Sequence, residues 1–179
     1  MKLLTHEAWK FQPDLCNYDV EFTNLALFEE WSERRIFHMG PGLHHTVGIN
    51  LSSTNNIFSI TCSPEEVDTY MEWAINNPEH SDRYQVMFGD IHKINPAFLP
   101  VFDVLSLPHF LETPDETRKL YGAYDGETLL EILYFKLKYK GFLYGYRNSS
   151  AWDRAEFLFK NLFGQPVMVS EQIIGWQKR

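Results

Sequence analysis

The sequence predicts an α/β fold with a doubly wound, mainly parallel sheet and helices on both faces. Three observations predict it. From Ile36 onward, short strand-like runs alternate with amphipathic segments, which is the signature of βαβ units. The first such run, Ile36-Phe37-His38-Met39, stops at Gly40-Pro41-Gly42, a turn suited to passing a strand into a helix. Ser63-Pro64-Glu65-Glu66 is then a strong helix start: an N-cap serine, proline at the first helical position and glutamate three residues past the cap.

Each element follows in order. Leu25, Leu27 and Phe28 mixed with Glu29 and Glu30 predict a short lead-in helix over residues 23–31. After the first strand and its turn, Val47 and Leu51 fall at helical spacing, predicting a helix over 43–51. Ile57-Phe58-Ser59-Ile60 is the second strand. Behind the Ser63 cap, Val67, Tyr70, Met71, Ala74 and Ile75 make one apolar stripe that ends before Pro78. Tyr84-Gln85-Val86-Met87-Phe88 is the third strand and residues 101–107 the fourth, ended by Pro108. Thr113-Pro114-Asp115-Glu116 repeats the cap pattern. A helix over 127–138, a fifth strand over 141–146 and a helix over 150–163 follow. Residues 166–169 and 173–176 close the chain as a terminal hairpin.

Composition bounds the rest. At 179 residues the chain is large enough to bury a core without metal or disulfide support, and it is expected to be one domain over 1–179, with 1–30 leading in. Aromatics make up 16% of the residues, so the core should be rich in rings. The net charge is -8 and no basic stripe is visible, so nucleic acid is not an expected partner. The two cysteines, Cys16 and Cys62, stand in unrelated surroundings, as in a reduced intracellular protein. The segment MKLLTHEAWKF lacks the apolar region of a signal peptide, and no apolar run nears the roughly 18 residues of a membrane span. A soluble cytoplasmic protein without a membrane partner is the expectation.

The ordered motifs resemble those of the class I S-adenosylmethionine-dependent methyltransferases over roughly residues 30–179. In that family the first strand leads into an acidic residue and a glycine-rich turn; here Phe37-His38-Met39-Gly40-Pro41-Gly42-Leu43-His44 fills the place. The second strand of the family ends in a carboxylate that holds the ribose; Phe58-Ser59-Ile60-Thr61-Cys62-Ser63-Pro64-Glu65 fits that frame with Thr61 at the carboxylate position. Phe88-Gly89-Asp90-Ile91 matches the Gly-Asp of the third strand, whose carboxylate meets the adenine. Phe102-Asp103-Val104-Leu105 matches the fourth. The resemblance implies a Rossmann-like, seven-stranded-type sheet that binds S-adenosylmethionine through His38, Gly40, Gly42, His44, Thr61, Cys62, Asp90, Ile91 and Leu107.

The chemistry of these residue types sharpens that expectation. Gly40 and Gly42 let backbone approach a ligand closely, although a tight empty turn is the plain alternative. His45 occupies the third-glycine position of a dinucleotide turn, which disfavours nicotinamide. Thr61 offers one hydroxyl where a carboxylate would accept two hydrogen bonds, a loss on the order of 1 to 2 kcal/mol. His38, His44 and His45 invite a metal reading, but a strand histidine and two helical neighbours about 100° apart would not share one ion. No metal is therefore expected. His109, just after the fourth strand, is the candidate general base, weighed against a merely structural loop histidine.

These readings converge on a small methyltransferase-like protein acting on a small molecule, with residues 108–126 as a cap over the site. The alternative is a non-catalytic protein that keeps the fold and binds a partner or another ligand, which His38, His44 and Thr61 favour. A metal enzyme built on the histidines is a third and weaker reading.

Overall fold

A computed structural model describes residues 16–112, 116 and 119–179 of the chain. Its elements are α1 (Asn17–Phe28), β1 (Arg35–Met39), α2 (Thr46–Leu51), β2 (Asn56–Thr61), α3 (Pro64–Asn76), α4 (Pro78–Ser81) and β3 (Tyr84–Phe88). A short 3-10 turn (Pro96–Phe98) then leads to β4 (Phe102–Leu107), α5 (Gly126–Lys136), β5 (Leu137–Tyr146), α6 (Trp152–Phe163), β6 (Met168–Val169) and β7 (Ile173–Gln177).

One seven-stranded sheet runs in the order β3-β2-β1-β4-β5-β7-β6. The first five strands are parallel, while β7 lies antiparallel between β5 and β6. The alternation expected from the sequence is thus realised, terminal hairpin included. Strand order reverses between β1 and β4, and ligands in open α/β sheets sit at the carboxyl ends of strands beside such a reversal.

The pleat divides the core in two. Ile36, Ile57, Val104 and Tyr144 face a layer holding Tyr18 and Phe22 of α1 and Val47 and Leu51 of α2. Phe37, Ile60, Leu105 and Leu143 face the other way, against Leu129, Leu130 and Leu133 of α5 and Phe159 of α6. Both layers are built on rings, as the aromatic content anticipates. Phe37 lies 5.4 Å from Phe102 between centroids, and Phe22 lies 5.7 Å from Tyr144. Such pairs add roughly 0.5 to 1.5 kcal/mol beyond area burial.

Several boundaries differ from the sequence reading. The lead-in helix starts at Asn17 and ends at Phe28, because buried Tyr18 and Phe22 belong to its apolar face. The helix after the glycine turn begins only at Thr46, since His45 adopts a left-handed backbone with φ 48. The helix expected over 127–138 ends at Lys136. Residues 137–140 instead belong to β5, which runs from Leu137 to Tyr146. There the strand bulges against β4, with Lys140 at φ 62 and Asp103 on the partner strand ion-paired to Lys138 at 2.7 Å. The cap at Thr113, Pro114 and Asp115 lies outside the described residues.

Candidate functional site

Two polar regions meet at the carboxyl ends of β1 to β4. The first is the glycine turn. Gly40 has φ +71 and Gly42 φ +66, conformations that side chains rarely adopt. A Cβ on Gly40 would meet nothing within 4 Å, so the backbone there lies open to an approaching ligand. A Cβ on Gly42 would come 3.3 Å from His44 Nε2, which places the His44 imidazole beside the turn.

His45 is anchored away from that opening. Its Nδ1 lies 2.7 Å from Tyr84 Oη and its Nε2 2.9 Å from Thr69 Oγ1. The Thr69 hydroxyl donates to the carbonyls of Glu65 and Glu66, so His45 Nε2 donates to Thr69 and Nδ1 accepts from Tyr84. Burial pushes His45 down to about 4, consistent with a neutral ring. It ties the turn to α3 and β3.

The second-strand end carries an unanticipated carboxylate. Thr61 Oγ1 accepts the Ser63 N–H at 3.0 Å. That N–H is the group which a capping-box glutamate would otherwise bind. Ser63 Oγ still caps α3 by accepting the Glu66 N–H at 3.3 Å, but it donates to Glu65 at 3.0 Å. Glu66 is thereby released from the cap, and its carboxyl turns toward Thr61 and Gly42. Burial raises its pKa, while the Thr61 hydroxyl and the Gly42 N–H oppose the rise. Among the described residues, Glu66 Oε2 is buried with no hydrogen-bond partner.

The remaining expected contacts are more occupied. Cys62 donates its S–H to the Gly89 carbonyl at 3.2 Å, and burial pushes it up to about 12. Asp90 accepts from the His92 N–H at 2.8 Å and from Tyr121 Oη at 2.7 Å. An ionised carboxylate has about four acceptor positions, so Asp90 retains capacity for another donor. Ile91 and Leu107 are buried in the core.

His38 does not face the turn. It is 1% exposed and points into the α1 layer, with Nδ1 2.8 Å from Ser106 Oγ and Nε2 3.4 Å from Asp19 Oδ1. Ser106 in turn lies 2.9 Å from Tyr18 Oη. Burial lowers His38 to about 3. It also raises Asp19 to about 7, against the lowering pull of the His109 charge. A neutral imidazole beside a proton-holding carboxyl is the arrangement that burial favours.

The second region surrounds His109. Cys16, at the N-cap of α1, places Sγ 3.7 Å from His109 Nε2. On the other side of the ring, Nδ1 lies 3.1 Å from Glu112 Oε1. That oxygen also accepts from Ser149 Oγ at 2.7 Å and from the Ser150 N–H at 3.1 Å. Tyr146 meets the imidazole edge-on. Burial alone would lower His109, but hydrogen bonds to Cys16 and Glu112 and the Glu112 charge carry it up to about 10. Glu112 is held down at about 2 despite burial, chiefly by its bond to His109. A general base must be free of its proton at working pH. The contacts to Cys16 and Glu112 favour the protonated form of the His109 ring.

Sequence reasoning thus missed Cys16, Asp19, Glu66 and Glu112 as site groups. Only Glu112 had a local signal, three residues beyond His109. Among the described residues, no three His, Cys, Asp or Glu side chains are placed to hold a metal ion, and no helix is long and apolar enough to cross a membrane.

The fold is shared with solved S-adenosylmethionine-dependent methyltransferases. An S-adenosylmethionine-dependent methyltransferase from Aquifex aeolicus superimposes with a TM-score of 0.61 at 17% identity, covering 94% of this chain and 98% of that one. The magnesium protoporphyrin IX methyltransferase of Synechocystis PCC 6803, solved with bound S-adenosylmethionine, gives 0.60 at 12% identity over 90% of this chain and 78% of that one. The [4+2]-cyclase SpnF gives 0.53 at 18% identity over 70% of this chain, which spans 43% of that protein. At these identities the likeness is one of fold, and the cyclase shows that the fold also serves other chemistry. No family model matches the chain. No curated protein matches it either.

Proposed function

We propose that this chain is a single-domain, cytoplasmic methyltransferase-type protein that binds S-adenosylmethionine at the ends of β1 to β3 and acts on a small molecule. The observation that carries the reading is Glu66. Its carboxyl, released from the α3 cap, stands beside Thr61, where the family places a ribose-binding carboxylate, and keeps a buried oxygen without a partner. Ribose hydroxyls are donors that such an oxygen would satisfy. Gly40 supplies the open backbone beside it, and Asp90 retains acceptor capacity for the adenine amino group. The cofactor, when bound, would supply an activated methyl group; the chain would supply its position.

Thermal unfolding with and without S-adenosylmethionine and S-adenosylhomocysteine tests this. Ligand at 100 times its dissociation constant adds about 2.7 kcal/mol, or roughly 5 to 10 °C for a chain of this size. Glu66→Gln should leave the protein folded and reduce that shift. Unchanged midpoints at millimolar ligand would move the chain to the second reading, a non-catalytic protein of this fold. Thr61 favours that reading, because its hydroxyl oxygen is already used to hold the Ser63 N–H.

A further inference from the structure

Cys16, 93 positions away in sequence, meets His109 and its near neighbour Glu112, and the proposed cofactor site uses none of the three. Cys16 comes from the start of α1, His109 from the end of β4 and Glu112 from the loop beyond. The imidazole bridges the other two, with one nitrogen 3.7 Å from the thiol sulfur and the other 3.1 Å from the carboxylate. Ser149 and the Ser150 N–H fix the far side of the same carboxylate oxygen, so the ring's orientation is set from behind. Nucleophile, imidazole and orienting acid in this sequence of contacts are the general constellation of covalent catalysis. Cys16 is half-buried, at the margin of the core and not enclosed within it.

We propose that Cys16, His109 and Glu112 form a nucleophilic triad that takes a small carbon electrophile bearing a leaving group. This goes beyond the cofactor reading and does not depend on it. In the step, the sulfur electron pair forms a C–S bond as the bond from carbon to the leaving group breaks. The leaving group departs with the electrons of the broken bond; a basic one takes the proton held on His109 Nε2, whereas a weakly basic one such as iodide leaves as the anion and the ring keeps its proton. Glu112 keeps the imidazolium oriented before the step and the neutral ring oriented after it. The His109 environment supports the thiolate–imidazolium pair from which the step starts, since Cys16 and Glu112 both raise the ring's affinity for a proton.

The test is the pH profile of alkylation by iodoacetamide, in which iodide leaves as the C–S bond forms. The native full chain is labelled between pH 5.5 and 9, and Cys16 and Cys62 are followed separately by peptide mass spectrometry. An ordinary thiol with pKa about 8.5 slows roughly 80-fold between pH 8 and pH 6. Cys16 should slow by less than about threefold over that range, because His109 holds the proton in the pair. Groups facing the pair that also titrate are Asp19 and Tyr18 on α1, His38 on β1 and Tyr146 on β5. His109→Gln should restore the steep profile, and Glu112→Gln should move it part of the way. Cys62, which is half-buried like Cys16 but donates its S–H to the Gly89 carbonyl and is pushed up to about 12, is the slow internal reference, and a rise in its rate reports unfolding. A wild-type Cys16 profile as steep as that of glutathione would overturn the triad, even if neither variant folds. So would a flat profile that persists in folded His109→Gln.

Discussion

The phenol ring of Tyr84 lies directly against the backbone of Gly48, filling the space where any other residue would carry a Cβ. A Cβ built there would overlap Tyr84 Cζ and Cε1 more closely than real Cβ atoms approach other atoms. Tyr84 is itself fixed, fully buried and joined to His45 through its hydroxyl. Gly48→Ala should therefore destabilise by about 1 to 3 kcal/mol, lowering the unfolding midpoint by roughly 2 to 12 °C. Calorimetry of Gly48→Ala alone and combined with Tyr84→Ala would show whether the ring is the cause. The glycine substitution should cost much less once the ring is gone.

Asp19 makes a prediction about pH. Its folded pKa, raised to about 7 mainly by burial, exceeds the ordinary value of 3.8. The folded state therefore binds more protons than the unfolded chain between those limits, and this residue's contribution to stability declines as pH rises from 3.8 to 7. Asn at position 19 lacks that decline. The midpoint of Asp19→Asn, relative to wild type, should thus be higher at pH 8 than at pH 5, by about 2 kcal/mol or roughly 5 °C. Parallel curves for the two proteins would show that Asp19 titrates normally.

What was legible in the sequence was whatever is encoded locally. Ser63-Pro64 announced α3, alternating runs announced the strands, and Gly40-Pro41-Gly42 announced a backbone in unusual conformations. The helix after that turn was drawn too long because His45 satisfies helical spacing while its backbone turns left-handed to reach Tyr84 and Thr69, a tertiary demand. Glu66 had been assigned to the cap. Only the competing bond from the Ser63 N–H to Thr61 frees it, and nothing in the string Ser63-Pro64-Glu65-Glu66 reveals that competition. Cys16 and His109 are 93 positions apart, and their meeting depends on how α1 packs under the sheet.

Gly40 and Gly164 offer a paired test of the glycine turn. Both have positive φ, +71 and +84, and both have nothing within 4 Å of a built Cβ. Alanine at either position should lower stability by about 1 to 2 kcal/mol through backbone strain alone. Only Gly40→Ala should also reduce the midpoint shift produced by S-adenosylmethionine, since Gly164 follows α6, away from the ends of β1 and β2. Equal ligand shifts in the two variants would remove Gly40 from the binding site.

Lys178 closes the end of α5. Its Nζ donates to the carbonyls of Tyr134 and Leu137, both at 2.7 Å, and sits 4.3 Å from the Tyr134 ring centroid. Lys178→Met keeps the apolar stem but removes the charge from these carbonyls and from the ring. A loss of about 1 to 2 kcal/mol is expected, read as a drop of roughly 2 to 8 °C in the unfolding midpoint. A drop below 1 °C would mean that water replaces the ammonium group without penalty.

The polar chain under β1 and β4 has a consequence for the geometry of α1. A helix held to a sheet by apolar contacts alone has several axial rotations of similar energy, because such contacts carry little directional information. Here Tyr18 is hydrogen-bonded to Ser106 at 2.9 Å, and the next residue, Asp19, brings a carboxyl oxygen to 3.4 Å from His38 Nε2, two polar contacts from adjacent residues of the first turn. Together they act as a key that admits one rotational setting of the helix. Cys16 stands immediately before those residues, so the direction in which its sulfur points is inherited from the key. Ser106→Ala would leave the lock loose, and the thiol's aim would blur before the fold was lost.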